Sequence, residues 1–156
     1  MFVTMRAVVQ RVSECSILIN EQEKKSMGWG FLVLLGVEAS DQEEDVLYLA
    51  NKIVNMRIFS DQEGKMNLAL SDIGGSMMVV SQFTLFASTK KGNRPSFLQS
   101  AKPDIAIPLY ESFISNCKRL CTPETNILTG EFGADMKITF TNDGPVTILL
   151  DSKNRE

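Results

Sequence analysis

The chain has 156 residues, of which 44% are hydrophobic, and a net charge of −3, which predicts one globular domain over residues 1–156 and no membrane span. Its pI of about 5.1 argues against broad nucleic-acid binding, because that function normally leaves a basic surface. The absence of histidine excludes Ser-His-Asp and Cys-His catalytic systems and metal sites built on imidazole. Neither a metal nor another cofactor is expected.

The first half of the chain reads as strands around one helix. Residues 1–4 are expected to form a short leader, and residues 21–26 a charged loop. Strands are predicted over residues 5–13, 15–20, 28–37, 57–60 and 65–70, the third of them buried on both faces. A capping-box pattern beginning at Ser40 or Asp41, followed by apolar residues at helical spacing, predicts a helix over residues 41–56.

Arg11 lies in the first predicted strand, on the same face as Ala7 and Val9. A solvated side chain is the expectation, because arginine is mostly a surface residue. The alternative is a buried guanidinium that donates to carbonyl oxygens freed where proline breaks a strand ladder.

The next predicted strand, residues 76–86, breaks its own pattern at the far end. Ser81 lies on one face, and Gln82 and Thr84 lie on the other, so polar residues occur on both. Such breaks concentrate at functional sites. An edge strand with a solvated end is the alternative interpretation.

The following loop, residues 88–97, carries Lys90, Lys91 and Arg94 and ends at Phe97. These residues suit contact with phosphate and stacking on a base, although solvated loops have similar compositions. A second helix is predicted over residues 103–121, with an irregular first turn or a start near Ile107 because of Pro108. The three cysteines match neither a disulfide framework nor a zinc-finger spacing, and reduced, buried thiols are expected.

The C-terminal region contains a short strand over residues 125–128, a turn over 130–133, and strands over 136–141 and 146–150. Gly144-Pro145 interrupts the last pair, which indicates a hairpin turn, an edge or a bulge, with an X-Pro bond that can adopt the cis form. Many strands with two helices predict an α+β domain with a curved or barrel-like, mostly antiparallel sheet, completed by a second copy of the chain.

Five motifs, in chain order, closely resemble those of the D-aminoacyl-tRNA deacylase family. They are residues 5–12 (MRAVVQRV), 81–85 (SQFTL), 92–97 (GNRPSF), 129–136 (TGEFGADM) and 142–147 (NDGPVT). The resemblance implies a cytoplasmic homodimer with active sites at the subunit interface. It also implies hydrolysis of the ester that joins a D-amino acid, or glycine as in glycyl-tRNA(Ala), to the 3′-terminal adenosine of tRNA.

The same resemblance assigns roles to matched residues. Gly144-Pro145 resembles the family's cis pair, which excludes L-amino acids from the partner's site, and Arg11 resembles the residue that fixes it. The pocket-forming and catalytic residues are Ser81, Gln82, Phe83 and Thr84. Supporting roles are implied for Asn142, Met136 and Phe97, and contact with tRNA is expected of Lys90, Lys91 and Arg94.

Without a histidine base, we expect backbone N–H groups near Phe83 and Thr84 to stabilise the oxyanion while the ribose 2′-hydroxyl helps to activate water. Thr84 as a covalent nucleophile is the rival mechanism, and it would need an adjacent base. The alternative function is that of a non-catalytic nucleic-acid-binding accessory protein using the basic residues of the loop.

Overall fold

A computed structural model describes residues 4–156 of the chain. Its strands are β1 (Arg6–Ile19), β2 (Glu23–Met27), β3 (Gly30–Gly36), β4 (Phe59–Ser60), β5 (Met66–Leu68), β6 (Ser76–Ser81), β7 (Ile127–Thr129) and β8 (Met136–Asp151). Its helices are α1 (Glu43–Val54) and α2 (Pro103–Leu120), and shorter 3₁₀ turns span Ser71–Ile73 and Phe83–Phe86. The expected leader lies outside the described residues except for Thr4, which is buried.

Six strands form the main sheet, in the order β2-β1-β3-β6-β7, with β8 along the remaining edge of β1. β1 is antiparallel to β2, β3 and β8, whereas β6 is parallel to β3 and to β7. The long β1 and β8 let the sheet curl into a nearly closed barrel. This confirms the predicted α+β class and the curved, mostly antiparallel sheet.

A separate hydrophobic cluster packs on each face of the sheet. On one face, Val9, Val33 and Val79 pack with the apolar sides of α1 and α2. On the other face, Ile17 and Met78 belong to a second cluster with neighbouring strand residues. β1 contributes to both cores because its register shifts between Gln10 and Glu14 reverse which side chains point to each face.

The N-terminal strands differ from the prediction in two ways. β1 is one continuous strand where two were expected, and residues 23–26, expected in a loop, belong to β2. Asn20 and Glu21 adopt positive φ angles and turn the chain tightly enough for β2 to pair back on β1. The charges of β2 are compatible with a strand because it lies at the sheet edge, where charged residues are common.

Both helices are confirmed, α1 with a later start and α2 with the predicted start at Pro103. α1 begins at Glu43, and the Asp45 carboxylate accepts a hydrogen bond from the Gln42 N–H (2.9 Å), so the capping box lies later than the predicted one. α2 begins at Pro103 and continues through Pro108, which rules out a start near Ile107. Between Thr4 and Glu156, neither helix combines the length and apolarity required to cross a bilayer.

Candidate active site

The segment that follows β6 turns sharply away from the sheet. β6 ends at Ser81, the Gln82 N–H donates to the Leu35 carbonyl (2.8 Å), and the chain then enters the 3₁₀ turn Phe83–Phe86. The predicted strand over residues 76–86 is therefore too long. The edge-strand interpretation is also wrong, since β6 lies between β3 and β7.

Gly36, the last residue of β3, provides the surface on which this turn packs. A Cβ atom at Gly36 would lie 2.9 Å from the Phe86 ring and 3.1 Å from the Gln82 carbonyl oxygen. Because real Cβ atoms rarely approach other groups so closely, only glycine fits under the turn. Gly36 was not among the site residues predicted from the sequence, although its place at the end of the buried apolar run was a usable signal.

The start of the turn presents two backbone donors. The first N–H groups of a helical turn have no partner within it, and those of Phe83 and Thr84 donate to no acceptor between Thr4 and Glu156. Both residues are exposed. These N–H groups can therefore donate to an oxygen of a bound substrate.

The side chains of Gln82 and Thr84 are joined by a hydrogen bond in which the Gln82 amide donates to the Thr84 hydroxyl oxygen. An amide N–H cannot accept a proton, so this contact orients the hydroxyl without activating it as a nucleophile. The arrangement favours a role for Thr84 in shaping the site.

Phe97 and the basic loop lie beside the turn. The Phe83 and Phe97 rings meet edge to face, with centroids 5.1 Å apart. Two hydrogen bonds between the backbones of Ser88 and Ser96 close the loop that carries the basic residues. Exposed Lys90, Lys91 and Arg94 line a cavity of about 230 Å³ that extends to Phe86.

Met136 is the first residue of β8 and pairs with Ile19 of β1. It packs against Gly130, whose N–H donates to the Val79 carbonyl (3.1 Å) beside the end of β6. The structure thus brings Phe97 against Phe83, and it places Met136 beside Gly130, next to the Val79 carbonyl of β6.

Gly144 and Pro145 form an exposed bulge in β8. Four residues of β8, numbers 143–146, stand opposite the single residue Arg11, while β8 pairs with β1 on both sides of them. The hairpin-turn interpretation is therefore wrong. The Gly144–Pro145 peptide bond is cis, and Gly144 has a φ of 156°.

The base of this bulge is fastened to β1 by two side chains. Arg11 is only 9% exposed, and it donates to the carbonyl oxygens of Asp143 (2.9 Å) and Ile58 (2.7 Å). The Asn142 amide donates to the carbonyl oxygens of Arg11 and Val146, both at 3.0 Å. The expectation of a solvated Arg11 is wrong, because its guanidinium donates to the Asp143 carbonyl, which the interrupted ladder leaves free, and to the Ile58 carbonyl just before β4.

The two parts of the candidate site do not meet within one chain. Arg11, at the bulge, pairs with Phe31, whereas Ser81 pairs with Leu35. Four residues of strand correspond to about 13 Å. The turn and the bulge therefore lie towards opposite ends of β3.

The cysteines do not add a nucleophile to this site. Burial raises the pKa of the Cys15 thiol to about 11 and raises that of Cys117 as well. Cys15 and Cys117 are free and buried, as predicted, and Cys121 is partly buried. Among residues 4–156, no group of three or more cysteine or carboxylate side chains is placed to hold a metal ion.

Known proteins resemble this chain over nearly its whole length. The family model described as D-Tyr-tRNA(Tyr) deacylase matches residues 8–151. A D-aminoacyl-tRNA deacylase from Cytophaga hutchinsonii is 57% identical over 152 residues, which are 97% of this chain and all of that protein.

Two solved structures share the fold. One, named c-Myc DNA Unwinding Element Binding Protein, superposes with a TM-score of 0.85 at 37% identity and covers 93% of this chain and 97% of its own. The other, described as a probable eukaryotic D-amino acid tRNA deacylase, has a TM-score of 0.81 at 18% identity over 96% of this chain and 100% of its own. From its sequence relatives and its family match, the chain belongs to the D-Tyr-tRNA(Tyr) deacylase family and is a D-aminoacyl-tRNA deacylase, a hydrolase of ester bonds.

Proposed function

We propose that two copies of this chain associate so that the Gly144-Pro145 bulge of each enters the site of the other. The separation of the bulge from the Phe83–Phe86 turn, about 13 Å along β3 and β6, is the observation that carries this proposal. A two-fold interface brings together residues that are far apart in one chain, because it uses the same patch twice. Each dimer then contains two complete sites.

In this arrangement the bulge selects the chirality of the substrate. Hydrogen bonds from Arg11 and Asn142 fix the residues that flank the bulge. The exposed main chain of Gly144 and Pro145 therefore forms a rigid wall. A D-amino acid places hydrogen towards this wall, whereas an L-amino acid would place its side chain there, and the clash rejects it. Glycine has no side chain to reject, so glycyl-tRNA(Ala) is also a substrate.

The N–H groups of Phe83 and Thr84 form the oxyanion hole. They donate to the carbonyl oxygen of the ester as negative charge develops on it, and a water activated with help from the ribose 2′-hydroxyl attacks the carbonyl carbon. The tetrahedral intermediate then collapses, and the bond between the carbonyl carbon and the 3′-oxygen of the terminal adenosine breaks. The 3′-oxygen takes up the proton that the attacking water lost, and the D-amino acid is released. No protein base is required.

The rival mechanism, attack by Thr84 itself, makes a different prediction. A Thr84→Ala variant keeps both N–H groups, so we expect it to retain most of the single-turnover rate. Near-complete loss of that rate, together with an acyl-enzyme trapped on the wild-type protein, would establish Thr84 as the nucleophile instead.

The basic loop contacts the tRNA backbone, in keeping with a cytoplasmic enzyme of translation. Lys90, Lys91 and Arg94 are exposed and surround one cavity beside the turn. Replacing all three with serine is expected to weaken tRNA binding and to reduce its dependence on salt, since each phosphate contact contributes to the salt slope. The cleavage rate of saturated enzyme should remain near that of the wild type.

The proposed selection is tested with D-Tyr-tRNA(Tyr), L-Tyr-tRNA(Tyr) and glycyl-tRNA(Ala) under single-turnover conditions. We expect cleavage of the first and third and no cleavage of the second above the uncatalysed rate. Equal cleavage of the two tyrosyl esters would refute selection by the bulge. A mass measurement showing only monomers at active concentrations would refute the shared site.

A second candidate function, nucleic-acid binding without catalysis, is favoured by one comparison. The relative that is 37% identical is named as a binding protein for a DNA unwinding element. The same assay separates the two functions, because an accessory protein would bind tRNA through the basic loop and leave the ester intact.

A further inference from the structure

Arg6 contacts the last two residues of the Phe83–Phe86 turn. It lies at the start of β1, directly opposite Gly36 in the β1–β3 register. Because Gly36 has no side chain, the guanidinium of Arg6 can reach across it to the turn. Its Nη1 donates to the Leu85 carbonyl (3.0 Å), and its Cζ lies 5.1 Å from the centroid of the Phe86 ring.

Asp151, at the end of β8, forms an ion pair with this guanidinium. Its carboxylate lies 3.6 Å from Arg6 Nε, and its Oδ1 accepts hydrogen bonds from the N–H groups of Lys153 and Asn154. The carboxylate is thus fixed by the backbone that follows it. Arg6 therefore connects a fixed strand end to the last residues of the turn.

We propose that Arg6 is a positioning residue for the deacylase reaction, which it serves by holding the turn so that the Phe83 and Thr84 N–H groups point at the developing oxyanion. This inference rests on the proposed role of those N–H groups. The turn is anchored at its start by the Gln82–Leu35 hydrogen bond and beneath by Gly36. At its end, the Leu85 carbonyl accepts from Arg6 and from no other donor between Thr4 and Glu156.

The contacts of Arg6 suit positioning better than global stabilisation. Its side chain is 42% exposed, and ion pairs at such exposure contribute little to the free energy of folding. A small displacement of preorganised donors, in contrast, strongly weakens stabilisation of a transition state. Loss of Arg6 should therefore slow the reaction without unfolding the protein.

The test compares Arg6→Met with Arg155→Met in the full-length enzyme. Arg6 and Arg155 line one cavity of about 330 Å³, which Leu85 also borders. The Arg155 guanidinium lies 4.1 Å from the centroid of the Tyr48 ring, but it makes no hydrogen bond to residues 81–86. With D-Tyr-tRNA(Tyr), we expect Arg6→Met to lower the saturating single-turnover rate at least tenfold. The enzyme concentration for half-maximal rate should change less than threefold, and Arg155→Met should match the wild type in both.

Arg6→Lys serves as the conservative variant, since a lysine ammonium can still reach the Leu85 carbonyl. We expect it to recover part of the lost rate, and both Arg6 variants to melt within a few degrees of the wild type. A change confined to the half-saturating concentration and its salt dependence would overturn the inference in favour of an RNA contact. A rate loss that follows a large drop in melting temperature would overturn it in favour of a structural role.

An unchanged Arg6→Met rate beside an active wild type would refute the inference and leave the deacylase function standing. A wild type that does not cleave the ester would refute the proposed function itself, and the positioning role with it.

Discussion

The role of the bulge in stability and in chiral selection can be tested by adding one methyl group at Gly144. A Cβ atom there would lie 2.3 Å from the Val146 nitrogen and 2.7 Å from its Cγ2, so the backbone must move. We expect Gly144→Ala to lower the melting temperature by about 2–8 °C, because a strained substitution costs on the order of 1–2 kcal/mol. It should also slow cleavage of D-Tyr-tRNA and permit cleavage of L-Tyr-tRNA.

Gly64→Ala is the matched control for this change. Gly64 also has a positive φ, 76°, but no atom lies within 4 Å of its added Cβ, and it lies in the turn between β4 and β5, outside both motifs. This variant should lose some stability and keep full discrimination between enantiomers. If Gly144→Ala discriminates as well as Gly64→Ala does, the bulge is not the selective element.

Asp41 is a buried carboxylate whose protonation sets a pH dependence of stability. Burial, with Asp45 and Glu38 nearby, raises the pKa of Asp41 to about 6, although the Glu38 N–H and Lys153 act in the opposite direction. The folded state then binds the proton more tightly than the unfolded state, so this contribution to stability is complete below pH 4 and is lost as the pH rises to 6.

Asp41→Asn should therefore gain stability over the wild type at pH 7.5, by on the order of 2 kcal/mol, and the gain should disappear near pH 4. Thermal unfolding followed across this range measures the difference. Asp61→Asn is the control, because its expected change in stability at pH 7.5 has the opposite sign. The Lys65 and Glu63 N–H groups lower the pKa of Asp61, so that variant should lose stability at pH 7.5. A parallel response of both variants would contradict the assignment for Asp41.

Single residues also show where sequence reasoning stops. The sequence could not decide between a solvated and a buried Arg11, because the answer depends on the Asp143 and Ile58 carbonyl oxygens, which lie 132 and 47 residues away. Gly36 and Arg6 were missed for the same reason. Their partners in the turn are identified only when β1, β3 and β6 are in register.

Among the elements, the Phe83–Phe86 turn permits the most direct test of the chemistry. Proline at position 83 removes the N–H that we assign to the oxyanion hole, and the first position of a helical turn accepts proline well. Phe83→Pro should be slower than Phe83→Ala by about 10²–10³ in single-turnover rate, the effect of losing one such donor. Both variants lack the aromatic ring, so their ratio isolates the N–H group. Equal rates would remove Phe83 from the oxyanion hole.

Helices and strands whose apolar residues recur at a regular spacing were predicted well. Elements whose ends depend on contacts with distant residues were not. The buried run of β3 and the spacing of α1 and α2 were sufficient to identify them. The strand predicted over residues 76–86 stops at Ser81 because Phe86 turns inward over Gly36, a contact 50 residues away. Polar residues on both faces at that point did indicate a functional site, although for a strand that does not continue.

At the scale of the whole molecule, the strand pattern predicted the barrel-like sheet, but it did not show that the two motifs lie apart in one chain. Register places Ser81 beside Leu35 and the bulge beside Arg11, and strand pairing is not encoded in local spacing. The resemblance to the deacylases implied a shared site. The topology explains why a site using both motifs would need two chains.

Mixed dimers test that requirement directly. A chain carrying Phe83→Pro has a damaged turn and an intact bulge, and a chain carrying Gly144→Ala has the reverse, so each homodimer is defective. If the bulge acts across the interface, the mixed dimer contains one site with an intact turn from one chain and an intact bulge from the other. We expect it to regain up to half of the wild-type rate per dimer and full discrimination against L-Tyr-tRNA. If the bulge acted within its own chain, no site in the mixed dimer would be intact, and activity would equal the mean of the two defective homodimers.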